Sequence, residues 1–144
     1  MRKILFRGKS VRTGEWVYGS LIKLGKYDSS DNDQYGITDK AIPVGFSGVV
    51  YNMEINEVIP ETVGGFSGKR DIKGTEVYES NIIEWESEPI TKTKRHGIVR
   101  IRDCMYVVEN QGFAVSLIAV LSWGGVVIGN EFDNPELVEK QPCS

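Results

Sequence analysis

Lys92, Lys94, Arg95, Arg100 and Arg102 gather in one short stretch of the chain. Arg100 and Arg102 alternate with Val99 and Ile101, so a strand here shows one basic face and one apolar face. A basic strand face suits the phosphate backbone of a nucleic acid. Glu84, Glu86 and Glu88 alternate in the same way just upstream. If the two runs pair as a hairpin across residues 89–96, opposite charges face each other. Pairing of Arg100 and Arg102 with Glu84 and Glu86 accounts for both runs without a ligand. It is therefore preferred over nucleic-acid contact by the five cations.

Other chemistry-bearing residues do not assemble into a motif. His96 is the single histidine, so Ser-His or Cys-His catalysis would have to use it. It follows Lys92, Lys94 and Arg95 in a polar stretch that reads as an exposed loop, with no carboxylate near in sequence to orient it. Gly64, Gly65, Gly68 and Lys69 suggest a phosphate loop, but Val63 and Arg70 stand where that loop needs Gly and Ser or Thr. Asp31, Asp33 and Gly36 fit part of a calcium loop, yet Tyr35 and Ile42 occupy ligand positions. The residues read instead as a solvated acidic loop. Cys104 and Cys143 have no CxxC partners, and a zinc site would need more ligands than two Cys and one His supply. They read as reduced thiols of a reducing compartment. The 20 acidic residues leave carboxylate hydrolysis as a third reading, because any two can meet in space. No catalytic residue, metal ligand or cofactor is assigned.

Composition narrows the setting. The chain has 144 residues and a net charge of −3, which suits a single domain and disfavours broad attraction to phosphate. The apolar stretch 114–127 is interrupted by Ser116, Ser122, Trp123, Gly124 and Gly125, and is too short to span a bilayer. The opening MRKILFRGKS lacks the apolar core of a signal peptide. The expectation is a soluble cytoplasmic protein with no membrane contact.

The elements that must hold these residues are mostly strands. The 16 glycines punctuate short β-rich runs, the pattern of an all-β domain. Strands are predicted at 3–8, 16–24, 35–38, 41–44, 49–51, 57–59, 75–78, 81–86, 97–102, 105–109 and 126–128, with a polar loop at 28–34. Phe66 is read as the end of a strand. Asp71-Ile72-Lys73-Gly74 reads as a tight turn, since Asp bonds its own backbone and Gly accepts positive φ. Asp103-Cys104 reads as a hairpin bend. Residues 116–123 carry Leu117, Ile118 and Leu121 at helical spacing, and Gly124-Gly125 stops the run. Asn134-Pro135 opens a short terminal helix. Trp16, Tyr18, Tyr78, Trp85, Phe113 and Trp123 read as core or subunit interface. Gly-Phe-Ser-Gly occurs at 45–48 and 65–68, but nothing flanking the copies agrees.

Three blocks carry a family resemblance. Phe6-Arg7-Gly8-Lys9 is followed by Gly14 to Gly19, GEWVYG. In the middle stand Thr62-Val63-Gly64, Phe66, Gly68, the Asp71 to Gly74 turn and Val77-Tyr78-Glu79. Near the end come Ile128-Gly129-Asn130 and Asn134-Pro135-Glu136-Leu137. Together these resemble the YopX-like family of phage and prophage proteins over most of the chain. One departure is Ser80-Asn81, where the family usually has Gly-Asp; a turn survives that change, a carboxylate role does not. The resemblance implies a β-rich domain containing an SH3-like barrel, encoded by phages or prophages and acting in the bacterial host. It also implies self-association, and it assigns no catalytic residue.

The reading is thus an all-β single domain, 1–144, with one short helical element near the C-terminus. An N-terminal subregion 1–56 and a barrel region 57–138 are expected. Function is expected to be non-enzymatic: a homo-oligomer that also binds a host or phage protein. A nucleic-acid accessory role through 92–102 is the alternative.

Overall fold

The described residues form eleven strands and two short helices; the strands Gly64–Arg70 and Phe113–Ser116 lie outside the predicted strand ranges. The computed structural model describes residues 3–24, 34–40, 54–88, 90 and 92–139. The strands predicted at 41–44 and 49–51, the loop at 28–33, the first Gly-Phe-Ser-Gly copy and Cys143 lie outside them. The chain divides into two compact units, 1–65 and 66–144.

In the first unit, β1 (Phe6–Lys9), β2 (Trp16–Leu24), β3 (Gln34–Thr38) and β4 (Asn56–Val58) form an antiparallel meander in the order β4-β3-β2-β1. Gly14, at φ +73, closes the β1–β2 turn by donating its N–H to the Ser10 carbonyl. Gly19 explains the blurred alternation of β2: a Cβ there would strike the Thr38 carbonyl oxygen of β3. One 3-10 turn, Pro60–Thr62, follows β4. The Thr62 hydroxyl there accepts the Lys9 N–H and donates to the Ile59 carbonyl. Gly64 and Gly65, the first residues of β5 (Gly64–Arg70), then pair with Arg7 and Phe6. The internal boundary therefore falls at 65–66 and not at 56–57, because β4 and the 3-10 turn are hydrogen-bonded to the N-terminal strands.

In the second unit, β5 from Phe66 onward pairs with β6 (Glu76–Tyr78). Phe66 does not end its strand; β5 continues through a bulge, with Gly68 at φ +83, to Arg70. β7 (Asn81–Glu88), β8 (Thr93–Arg102), β9 (Met105–Asn110), β10 (Phe113–Ser116) and β11 (Val126–Asn130) make a five-stranded antiparallel sheet in the order β10-β9-β8-β7-β11. Asp103 and Cys104 both take positive φ at the β8–β9 bend, as a tight hairpin turn requires.

One face of this sheet holds the core. Val99 faces Val108 across β8 and β9, and with Ile83 of β7 they meet Val77, Trp85, Leu117 and Val120. Each buried aliphatic side chain of this kind contributes about 1.5–3 kcal/mol. Leu117 and Val120 belong to α1 (Leu117–Ser122), whose buried residues recur at helical spacing while Ile118 is exposed. Gly124, at φ +87, ends α1: its N–H bonds the Leu121 carbonyl, and the Gly125 N–H bonds the Val120 carbonyl. α2 (Pro135–Glu139) begins after Asn134.

All-β is the correct class, but the expected SH3-like barrel over 57–138 is not formed. β10 and β11 are the two edges of an open sheet, and α1 covers the face that closure would have to enclose. Curling instead appears in the first unit, where Ser10 makes a single bridge to Val58 and the Val11 N–H reaches the Glu57 carbonyl. One bridge is not a ladder, so that sheet too stays open.

Candidate functional site

The five cations do not share one face. β8 begins at Thr93 rather than near Gly97, so His96 stands within a strand, half-buried and opposite Glu84, and not in the exposed loop expected for it. β7 and β8 do form the expected hairpin. Its register sets Glu84 against His96 and Glu86 against Lys94, and Ile82 against Ile98. Arg100 and Arg102 therefore run past the start of β7, and their expected pairing with Glu84 and Glu86 is overturned. Arg100 instead makes a two-pronged bond to Glu131, at 2.8 and 2.6 Å. The Glu131 hydrogen bonds raise the Arg100 pKa above its ordinary value. Arg102 grips Glu109 of β9 in the same manner, at 2.8 and 3.2 Å, and that bond lowers the Glu109 pKa. Lys94 lies 3.6 Å from Glu84. Lys92 sits in the turn with φ +53.

Arg95 has a different environment. It stands opposite Trp85, and its guanidinium lies over the Phe113 ring at 5.4 Å from the centroid. Phe113 meets Trp85 edge-on at 6.1 Å. With Val115, Trp123, Glu86 and Ser87 they line an open groove of about 720 Å³. Its origin is the shortness of α1. The helix stops at Ser122; Leu117 and Val120 pack into the core with Trp85, while Phe113 and Val115 beside it are only partly buried. Trp123, just past the helix, remains 55% exposed. The groove thus combines aromatic surface with the Arg95 guanidinium. Sequence reading names its aromatic residues and places them in the core or a subunit interface. Trp85 is core, whereas an aromatic residue directly before the Gly pair that ends a short helix was the signal for exposed Trp123.

Two further conspicuous clusters serve the fold. Asp71 is buried, and its carboxylate accepts the N–H groups of Lys73, Thr75 and Val127 at 2.9 to 3.0 Å. Burial pushes its pKa up, but the three N–H bonds outweigh burial and hold it below the ordinary 3.8. The carboxylate thereby ties the 71–74 turn to β11. Ser80 takes φ +79, and Asn81 accepts the Tyr78 N–H while donating to the Gly129 carbonyl. A carboxylate at 81 could not make that donation. Among the described residues, no three of His, Cys, Asp and Glu come together to hold a metal ion.

A family model described as YopX protein matches residues 5–139. No curated protein matches the chain. Among solved structures, the crystal structure of protein EF1440 from Enterococcus faecalis is similar, at 18% identity and a TM-score of 0.56, covering 96% of this chain and 99% of that one. At that identity the likeness speaks for the fold alone.

Proposed function

We propose that this chain, which belongs to the YopX protein family, is a non-enzymatic, self-associating protein-interaction module of phage or prophage origin, working in the cytoplasm of a bacterial host. The observation that carries the reading is the uncovered aromatic surface of the second unit. Trp123 is 55% exposed and lies beside Phe113 and Val115 in an open groove. Exposed aromatic surface next to a few charges is the composition of protein-binding patches. The ion pairs of Lys94, Arg100 and Arg102 favour this reading over nucleic-acid contact, since each cation already has a carboxylate. Light scattering on the purified protein, over a tenfold dilution in the micromolar range, tests self-association. The expected mass exceeds one chain at the upper end. A single-chain mass throughout would remove self-association from the reading.

A further inference from the structure

We propose that the outer edge of β10 is the self-association contact, and that two copies of this chain pair their β10 strands antiparallel about a twofold axis, joining two five-stranded sheets into one. This rests on the self-association reading and names its contact. Backbone groups alternate sides along a strand, and two bonds fix that alternation here. The Val99 carbonyl is taken on the β7 side by the Ser80 N–H, and the His96 carbonyl on the β9 side by the Asn110 side chain. Ile98 and Arg100 therefore turn to Glu109 and Val107, and Val108 and Asn110 turn to Val115 and Phe113. That leaves the N–H and C=O of Ala114 pointing out of the sheet edge. Ala114 is exposed, and among the described residues no hydrogen bond reaches it from that side. The other edge strands have occupied groups. The Val127 N–H of β11 bonds the Asp71 carboxylate, the Tyr78 N–H of β6 bonds the Asn81 side chain, and the Glu57 carbonyl of β4 accepts the Val11 N–H. An outward donor and acceptor on one strand residue are both met by another extended strand. β10 fits its own copy. With Ala114 on the axis, each Ala114 N–H donates to the Ala114 carbonyl of the other copy, and Phe113 stands opposite Val115 in the closer, non-hydrogen-bonded pairs. The strand, FAVS, carries no charge that its own copy would repel. The pairing is small, so the association is weak and reversible.

Variants at Ala114 test this by sedimentation velocity at matched concentrations, with a thermal melt confirming that each is folded. Ala114→Pro removes an N–H that the chain's own fold does not use, as an edge strand tolerates, and deletes both central bonds of the pairing. It should weaken self-association about tenfold or more. Ala114→Glu alone and Ala114→Lys alone each set like charges across the axis and should weaken it as well. An equimolar mixture of these two should regain it as a heterodimer. In the wild type, the Ala114 N–H should exchange with deuterium freely at low concentration and slowly at high concentration. Folded variants that all associate like the wild type would overturn the edge as the contact while leaving self-association standing. Weakened charge variants with no recovery in the mixture would overturn the pairing of Ala114 with its own copy. Slow exchange of the Ala114 N–H at every concentration would show the edge covered within one chain, and would equally overturn it. A wild type that is a single chain at all concentrations would overturn the parent reading and this one together.

Discussion

At the residue scale, two buried polar side chains show how one atom decides stability. The Asp71 carboxylate accepts three backbone N–H groups, so its folded-state pKa lies below the ordinary 3.8 of the free side chain. A depressed carboxyl pKa contributes stability that is fully present above the unfolded value and is lost as pH falls through the folded value. Asp71→Asn keeps one oxygen and loses the other as an acceptor, which leaves the Val127 or the turn N–H groups unmet. We expect this variant to melt lower than the wild type at pH 7, with the gap narrowing as pH falls below about 4. Melting curves from pH 7 to 2 measure it, and a constant gap would refute the role. Asn81 shows the converse. It donates to the Gly129 carbonyl at 3.2 Å, so Asn81→Asp sets a buried carboxylate against a carbonyl oxygen. The expected loss is about 2 kcal/mol at pH 7. Its folded-state pKa would be raised, so stability should return as pH falls and the carboxyl regains a proton to donate. Equal stability of Asn81→Asp and wild type at pH 7 would show that the donated bond contributes nothing.

At the element scale, β8 is the informative strand. Its alternation of Arg and apolar residues was legible, and so was its hairpin with β7. The partners of its arginines were not, because they depend on where the turn begins. Each residue of shift in a hairpin register changes which side chains face each other. With Glu84 opposite His96, Arg100 reaches Glu131 after β11, and Arg102 reaches Glu109 on β9. The two pairs differ in exposure: Arg100 and Glu131 are 31% and 19% exposed, and Arg102 is 57% exposed. A double-mutant cycle with Arg100→Gln and Glu131→Gln should return a coupling of about 1 kcal/mol, as a two-pronged, partly screened bond gives. Arg102→Gln should leave the melting temperature unchanged, since well-solvated pairs contribute little. Coupling of Arg100 to Glu84 in place of Glu131 would show the register to be misplaced.

At the scale of the whole molecule, charge is balanced locally as well as in total. The net charge is −3, and three of the five cations of the 92–102 run are matched by carboxylates. Phosphate therefore meets little uncompensated positive field along that strand. Binding to random duplex DNA or RNA at physiological salt is expected to be weaker than micromolar by fluorescence anisotropy. Tight binding that falls steeply with added salt, and that Arg95→Gln or Arg100→Gln abolishes, would promote the nucleic-acid reading.

What the chain declares by itself is its local chemistry. Glycine placement and period-two alternation announce strands, and Asp71 with Gly74 announces a turn, because backbone preferences act within a few residues. The blocks around Phe6, Thr62 and Asn134 announce the family for the same reason: they are contiguous runs. The tertiary structure decided what depends on distant residues. It left the five-stranded sheet open where a barrel was expected, with α1 packed on the core face that closure would enclose. It moved the internal boundary to 65–66 through the pairing of β1 with Gly64 and Gly65. It also separated Trp85, held in the core, from Trp123, left in the open, a difference set by how far a six-residue helix reaches across the sheet.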